Sequence, residues 1–214
     1  MAHDAATWAD YAEALAFVGN SLLAPMNQTG AVGLDPEFWA GFPDFNDSRT
    51  AASITTCSSY ALEAQDRMNK GEDVVQNVSV EYTKLFVGPP RPAAAPWETM
   101  YRSREGSTTV GFGQATFEMR ALLREAELEV SNENNQYADH IGIELLYASV
   151  LCSKIAEAGN DHDSQDPIEV QLVDFIRDHP LAWIGKLHDA VQQVKPSGYI
   201  AALLQLGQTL LESI

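Results

Sequence analysis

The sequence contains no apolar run approaching the roughly 18 residues that a membrane-spanning helix needs, so no stable membrane insertion is expected. Its first residues, Met1-Ala2-His3-Asp4-Ala5-Ala6-Thr7-Trp8, carry no basic stretch followed by an apolar one, so a secretory signal peptide is not expected either. Cysteine is scarce: Cys57 and Cys152 are the only two, each inside a helix-like pattern and without C-x-x-C spacing. That argues against a disulfide framework or a zinc site, and for two core thiols in a reducing, cytoplasmic compartment. Basic residues are few, 13 Lys and Arg against 30 Asp and Glu, for a net charge of −17. A field of that sign repels nucleic acid and anionic lipid; it either keeps the protein soluble or attracts a cationic partner. Catalytic motifs are missing as well. There is no nucleophile elbow, phosphate-cradling glycine loop or H-E-x-x-H, and Gly111-Phe112-Gly113 lacks the rest of a dinucleotide fingerprint. A recognisable enzyme is not expected, and neither a cofactor nor a metal is called for.

Helical periodicity is what the chain has in abundance. Trp8, Tyr11, Ala12, Leu15, Val18 and Leu22 line one helical face. Asp35-Pro36 predicts an N-cap followed by proline at the first helical position. Residues from about 48 to 69 predict an alanine-rich helix stopped by Lys70-Gly71, and a further helix carries Val74, Val78, Tyr82, Leu85 and Phe86 onward. Helices are also predicted from roughly 109 to 127, and from near Asp139 to about Ala158. After an acidic loop from Gly159 to Pro167, three more are predicted over 168–178, 181–194 and 197 to the end. No alternating strand pattern and no repeat is visible. The expectation is one all-α helical-bundle domain over 1–214, long enough to bury a core without staples.

One irregular segment interrupts this pattern, a proline-rich hinge over about 87–105. Gly88 permits a φ that other residues resist, while Pro89, Pro90, Pro92 and Pro96 restrict the backbone and end the helix after Phe86. Such a rigid loop loses little entropy on meeting a partner. Trp97 and Tyr101 are four apart, so a short helix after Pro96 would set both rings on one face as an apolar platform; otherwise both rings pack inward.

The second distinctive segment is Ala138-Asp139-His140-Ile141-Gly142-Ile143-Glu144. Asp139 is placed to cap the following helix. His140 and Glu144, spaced i, i+4, could share a proton or offer two metal ligands. A single His and Glu are too few for a di-iron carboxylate site, and no second copy is present. Seven acidic residues (Glu118, Glu125, Glu127, Glu129, Glu133, Asp139 and Glu144) stand against Arg120 and Arg124 in this region. They form either an ordinary solvated face or one wall of a groove for a part-basic, part-apolar peptide.

Four stretches in series resemble the TorD/DmsD family of redox-enzyme maturation chaperones. They are Tyr82…Leu85-Phe86…Gly88-Pro89, Pro96-Trp97-Glu98-Thr99-Met100-Tyr101, Asp139-His140…Glu144-Leu145, and Phe175…His179…Leu181…Trp183. Thr99 stands where that family usually has Ser, and the proline commonly found two residues before Asp-His is replaced by Tyr137. The resemblance implies a cytoplasmic, all-helical chaperone that binds the twin-arginine signal peptide of an apo-molybdoenzyme and delays its export until the cofactor is loaded. It implies signal-peptide binding by Pro96, Trp97, Glu98, Tyr101, Asp139, His140 and Glu144, with Gly88 and Pro89 in the hinge. Glu98 and Asp139 would take guanidinium groups, Trp97 and Tyr101 would cover apolar residues, and His140 would orient Asp139. Two other readings stay open: a scaffold acting on the client's folded body, and a hydrolase using Asp139, His140 and Glu144. The chain could be a monomer or a segment-swapped dimer.

Overall fold

The computed structural model describes residues 3–102, 113–130, 136–159 and 162–214. The Gly111-Phe112 junction, Glu133 and the end of the hinge (103–105) lie outside them. The first half of the chain forms α1 (Ala5–Leu23), α2 (Met26–Thr29), α3 (Pro36–Ala40), α4 (Ser48–Asn69) and α5 (Val74–Tyr82). The second half forms α6 (Thr99–Arg102), α7 (Gln114–Glu125), α8 (Ile141–Ala158), α9 (His162–Asp178), α10 (Pro180–Val194) and α11 (Tyr199–Ser213). The fold is all-α, with no strand among the described residues, and none of its helices is long and apolar enough to cross a membrane.

The amphipathic faces explain the packing. Trp8, Tyr11, Leu15, Val18 and Leu22 of α1 are buried, chiefly against α8, with α11 on the same core and α4, α9 and α10 around it. Cys57 and Cys152 lie buried and unpaired in this interior. Two glycines let α1 and α8 approach closely. A Cβ on Gly142 would sit 2.6 Å from the Gly19 carbonyl oxygen, and one on Gly19 would sit 2.8 Å from that of Gly142.

The predicted boundaries of α4 and the cap of α3 are met. Asp47 caps α4 by accepting from the Arg49 and Thr50 N–H groups, and Asp35 accepts from Glu37. Two boundaries differ. The acidic stretch read as a loop to Pro167 belongs largely to α9, which starts at His162 and carries Pro167 inside it. Polarity misleads there because acidic residues suit the positive end of a helix dipole. The helix of α5 does not run unchanged to Phe86; it widens after Tyr82 into a π-turn over Thr83–Val87. Gly88 ends that turn at φ 98°, with its N–H on the Thr83 carbonyl at 2.8 Å. The Ala94 N–H then bonds back to the Leu85 carbonyl at 2.8 Å, so Pro89, Pro90 and Pro92 lie in a closed loop rather than an extended arm.

Candidate functional site

The hinge returns to the body beside the start of α8. Backbone bonds Glu98 N–H to the Asp139 carbonyl (2.9 Å) and Ile141 N–H to the Pro96 carbonyl (3.0 Å) pair Trp97 with His140 as an isolated antiparallel bridge. Asp139, fully buried, fastens the junction. Its Oδ2 accepts from the Thr99 N–H (3.0 Å) and hydroxyl (2.6 Å), and its Oδ1 from the Thr116 hydroxyl (2.9 Å). One carboxylate thereby joins α6, α7 and the entry to α8. The extra methyl of Thr99 is accommodated at Gly113, where a Cβ would fall 2.2 Å from Thr99 Cγ2.

The capping role expected of Asp139 falls to the next residue. His140, extended at ψ 135°, accepts the Gly142 N–H on Nδ1 at 3.0 Å. Its proton is therefore on Nε2, which meets no acceptor among the described residues. Burial pushes this imidazole down to about 3, so it is neutral at physiological pH. Because His140 stands outside the helix, the i, i+4 spacing to Glu144 does not bring the two side chains together. His140 faces Phe86 and Trp97, each at a ring distance of 6.4 Å. Glu144 instead meets Trp183, whose Nε1 donates to Oε2 at 2.9 Å.

A second buried cluster forms around Glu98. Its Oε1 receives the guanidinium of Arg102, and its Oε2 lies 2.9 Å from His179 Nδ1. Burial raises the carboxyl, but the bonds from His179 and Arg102 outweigh this and hold it below the usual range. Glu144 goes the other way: burial, reinforced by the neighbouring charge of Glu98, holds it well above that range. Glu144 thus keeps its proton while Glu98 is ionised, as expected of two carboxyls sharing a dry site. Glu98, Glu144 and His179 each bring a potential ligand atom within 4.8 Å of the others, a set able to hold a cation. The positive charge in place there is the Arg102 guanidinium.

The aromatic platform is split. Trp97 precedes α6 rather than joining it, and its ring meets Tyr137 (5.8 Å, 72°), whereas Tyr101 stacks on Trp183 (5.3 Å, 25°). Glu98, Tyr101 and Glu144 therefore share one cluster and Trp97, Asp139 and His140 the adjoining one, with Pro96 buried between the bridge and the loop. Sequence reasoning missed Thr116 and Arg102. The second was legible as an i, i+4 partner of Glu98.

The burial of His140 gives a pH signature. Below its ordinary value of 6.5 the unfolded chain takes up a proton that the folded one refuses, so this group costs stability as pH falls. The cost is roughly 2 kcal/mol at pH 5 relative to pH 7. Glu144 acts oppositely, since its retained proton costs stability as pH rises above its ordinary 4.5. Comparison with His140→Asn, which keeps a capping oxygen without the titration, cancels that second contribution. Urea unfolding at both pH values should show the wild type losing roughly 2 kcal/mol more than the variant on acidification. Parallel pH profiles would refute a neutral His140.

Asp139, Glu98 and Glu144 thus each hold another element or a cation. The arrangement is one of interlocked, hydrogen-bonded junctions between helices. Residues 47–189 match the family described as nitrate reductase delta subunit, and the chain belongs to that family, which takes in the TorD/DmsD-type chaperones. It is similar to the probable Tat proofreading chaperone DmsD of Haemophilus influenzae, at 25% identity over 61% of this chain and 57% of that one. It is also similar to the chaperone protein TorD of Aliivibrio salmonicida, at 25% identity over 78% and 75%, and to that of Vibrio cholerae, at 25% over 69% and 64%. The aligned part spans little more than half of the DmsD relative's own length.

Proposed function

We propose that this chain is a cytoplasmic chaperone for a molybdenum-containing oxidoreductase, that it binds the twin-arginine leader of the precursor, and that it holds the precursor back from export until the cofactor is in place. The observation that carries this reading is the Glu98 carboxylate, which is buried, ionised and already mated to a guanidinium beside the Tyr101–Trp183 stack. A charge-assisted pair at that depth discriminates arginine from lysine by shape. In this reading Glu98 and Tyr101 meet the leader, Trp97 and Pro96 border it, and Asp139, His140 and Glu144 act as positioning residues. Gly88 and Pro89 line a recess of about 290 Å³ with Val80, Thr83 and Lys84, which in this reading takes part of the apolar run.

Calorimetric titration with a leader peptide tests it. The expected affinity is near micromolar, about −8 kcal/mol, and about tenfold weaker when the arginine pair is replaced by lysines. Equal affinity for both peptides would remove arginine recognition from the reading. The family description, a subunit of nitrate reductase, favours a second reading in which the client's folded body is the contact. Capture of a precursor whose leader has been deleted would support that one.

A further inference from the structure

We propose that Arg102 is an internal occupant of the guanidinium site, so that a client arginine enters by displacing it from Glu98. The inference rests on the leader reading and adds a self-inhibiting contact to it.

Glu98 is fully buried, yet the side chain paired with it is 41% exposed. Arg102 therefore runs from solvent to the carboxylate and marks a direction from which a cation reaches it. Its hold is partial. Among the described residues a single nitrogen, Nη1, makes its bonds, one to Glu98 Oε1 and one to the Asp178 carbonyl at 2.8 Å. A guanidinium carries five N–H donors arranged as a fork, and a two-nitrogen grip on a carboxylate is its strongest mode. Arg102 is attached four residues from its partner on a helix of only four residues, Thr99–Arg102, which fixes its angle of approach. An arginine arriving on another chain is free of that tether.

The surroundings suit the exchange. The second acceptor, the Asp178 carbonyl, sits at the C-terminal end of α9, where the helix dipole favours a cation whichever chain supplies it. The carboxylate of Glu118 also acts on the Arg102 guanidinium, whereas that of Asp178 is already paired with Arg177. Among the described residues the opposing cations are Arg177, on the Asp178 carboxylate, and Lys186, its Nζ 3.5 Å from the Tyr101 carbonyl. The carboxylate side is anchored: His179 holds Glu98 Oε2 from the far side, so loss of Arg102 does not free Glu98 to follow it. Retaining an internal guanidinium keeps a buried carboxylate compensated when no client is bound, since an unpaired buried charge is costly.

An internal competitor lowers apparent affinity in proportion to the fraction of time the site is free. Removing it should raise affinity for an arginine leader selectively. The experiment titrates Arg102→Gln and the wild type with a leader peptide containing adjacent arginines and with its lysine counterpart. The variant is expected to bind the arginine peptide about tenfold more tightly and the lysine peptide unchanged. An arginine preference in the wild type with no gain in the variant overturns the competition and leaves the leader reading intact. Absence of an arginine preference in both proteins sinks the leader reading, and this inference with it. Should Arg102→Gln fail to fold, guanidinium NMR on the wild type decides. The arginine peptide is expected to release one protected Nη–H resonance that the lysine peptide leaves in place, and continued protection overturns the exchange.

Discussion

Asp139→Ala is expected to lose about 3–5 kcal/mol of stability, read from urea unfolding, although the residue lies outside every helix. The carboxylate is buried and accepts three hydrogen bonds, two from Thr99 and one from Thr116. Truncation removes all three and strips the Thr99 N–H of its carboxylate, and each such loss costs about 1–3 kcal/mol in a dry site. The sum is discounted because the Thr99 and Thr116 hydroxyls lie 3.5 Å apart and can turn to each other. Asp139→Asn separates charge from shape. Its oxygen can still serve Thr99, and its amide can donate to Thr116, so a loss of about 1–2 kcal/mol is expected. An alanine variant within 1 kcal/mol of wild type would show that the hinge is held by the backbone bridge alone.

Gly142→Val is expected to cost about 3 kcal/mol or more, because the new side chain meets backbone rather than a yielding side chain. The Gly19 carbonyl oxygen lies 2.6 Å and Leu23 Cγ 2.9 Å from where a Cβ would stand. Only separation of α1 from α8 relieves both contacts, and that opens the centre of the core. Gly142→Ala should also destabilise, reversing the gain of up to about 1 kcal/mol that alanine brings to an unobstructed helix interior. Gly185 in α10 supplies the control. Among the described residues a Cβ there finds only Gln208 at 3.8 Å, so Gly185→Ala is expected to stabilise. Equal signs for the two alanine variants in thermal unfolding would discredit the close crossing.

Much of the architecture was legible because it rests on local rules. Asp35-Pro36 and Lys70-Gly71 mark helix ends by dihedral preference and capping chemistry, and the three- and four-residue spacing of α1 marks its buried face. The candidate site was legible in membership more than in arrangement. Asp139 has the better capping propensity, but its oxygens are claimed by Thr99 and Thr116, which arrive from elements 40 and 23 residues away. His140 takes the cap by default, and this moves its ring away from Glu144. The shared face considered for Trp97 and Tyr101, beside inward packing of both rings, required a short helix after Pro96. The bridge to His140 keeps Trp97 extended and postpones the helix to Thr99. Each departure arises from a contact distant in sequence, which no spacing rule contains.

The glycine crossing also bears on how the chain is made. The apolar face of α1 is complete once Leu23 is synthesised, but the helix that covers it begins at Ile141. At roughly 5–20 residues per second, translation of the intervening chain leaves that face without its partner for something like 6–24 s. During this interval the nascent chain displays an unshielded stripe of Trp8, Tyr11, Leu15, Val18 and Leu22. The chain therefore passes through a period on the ribosome when its own first helix needs shelter.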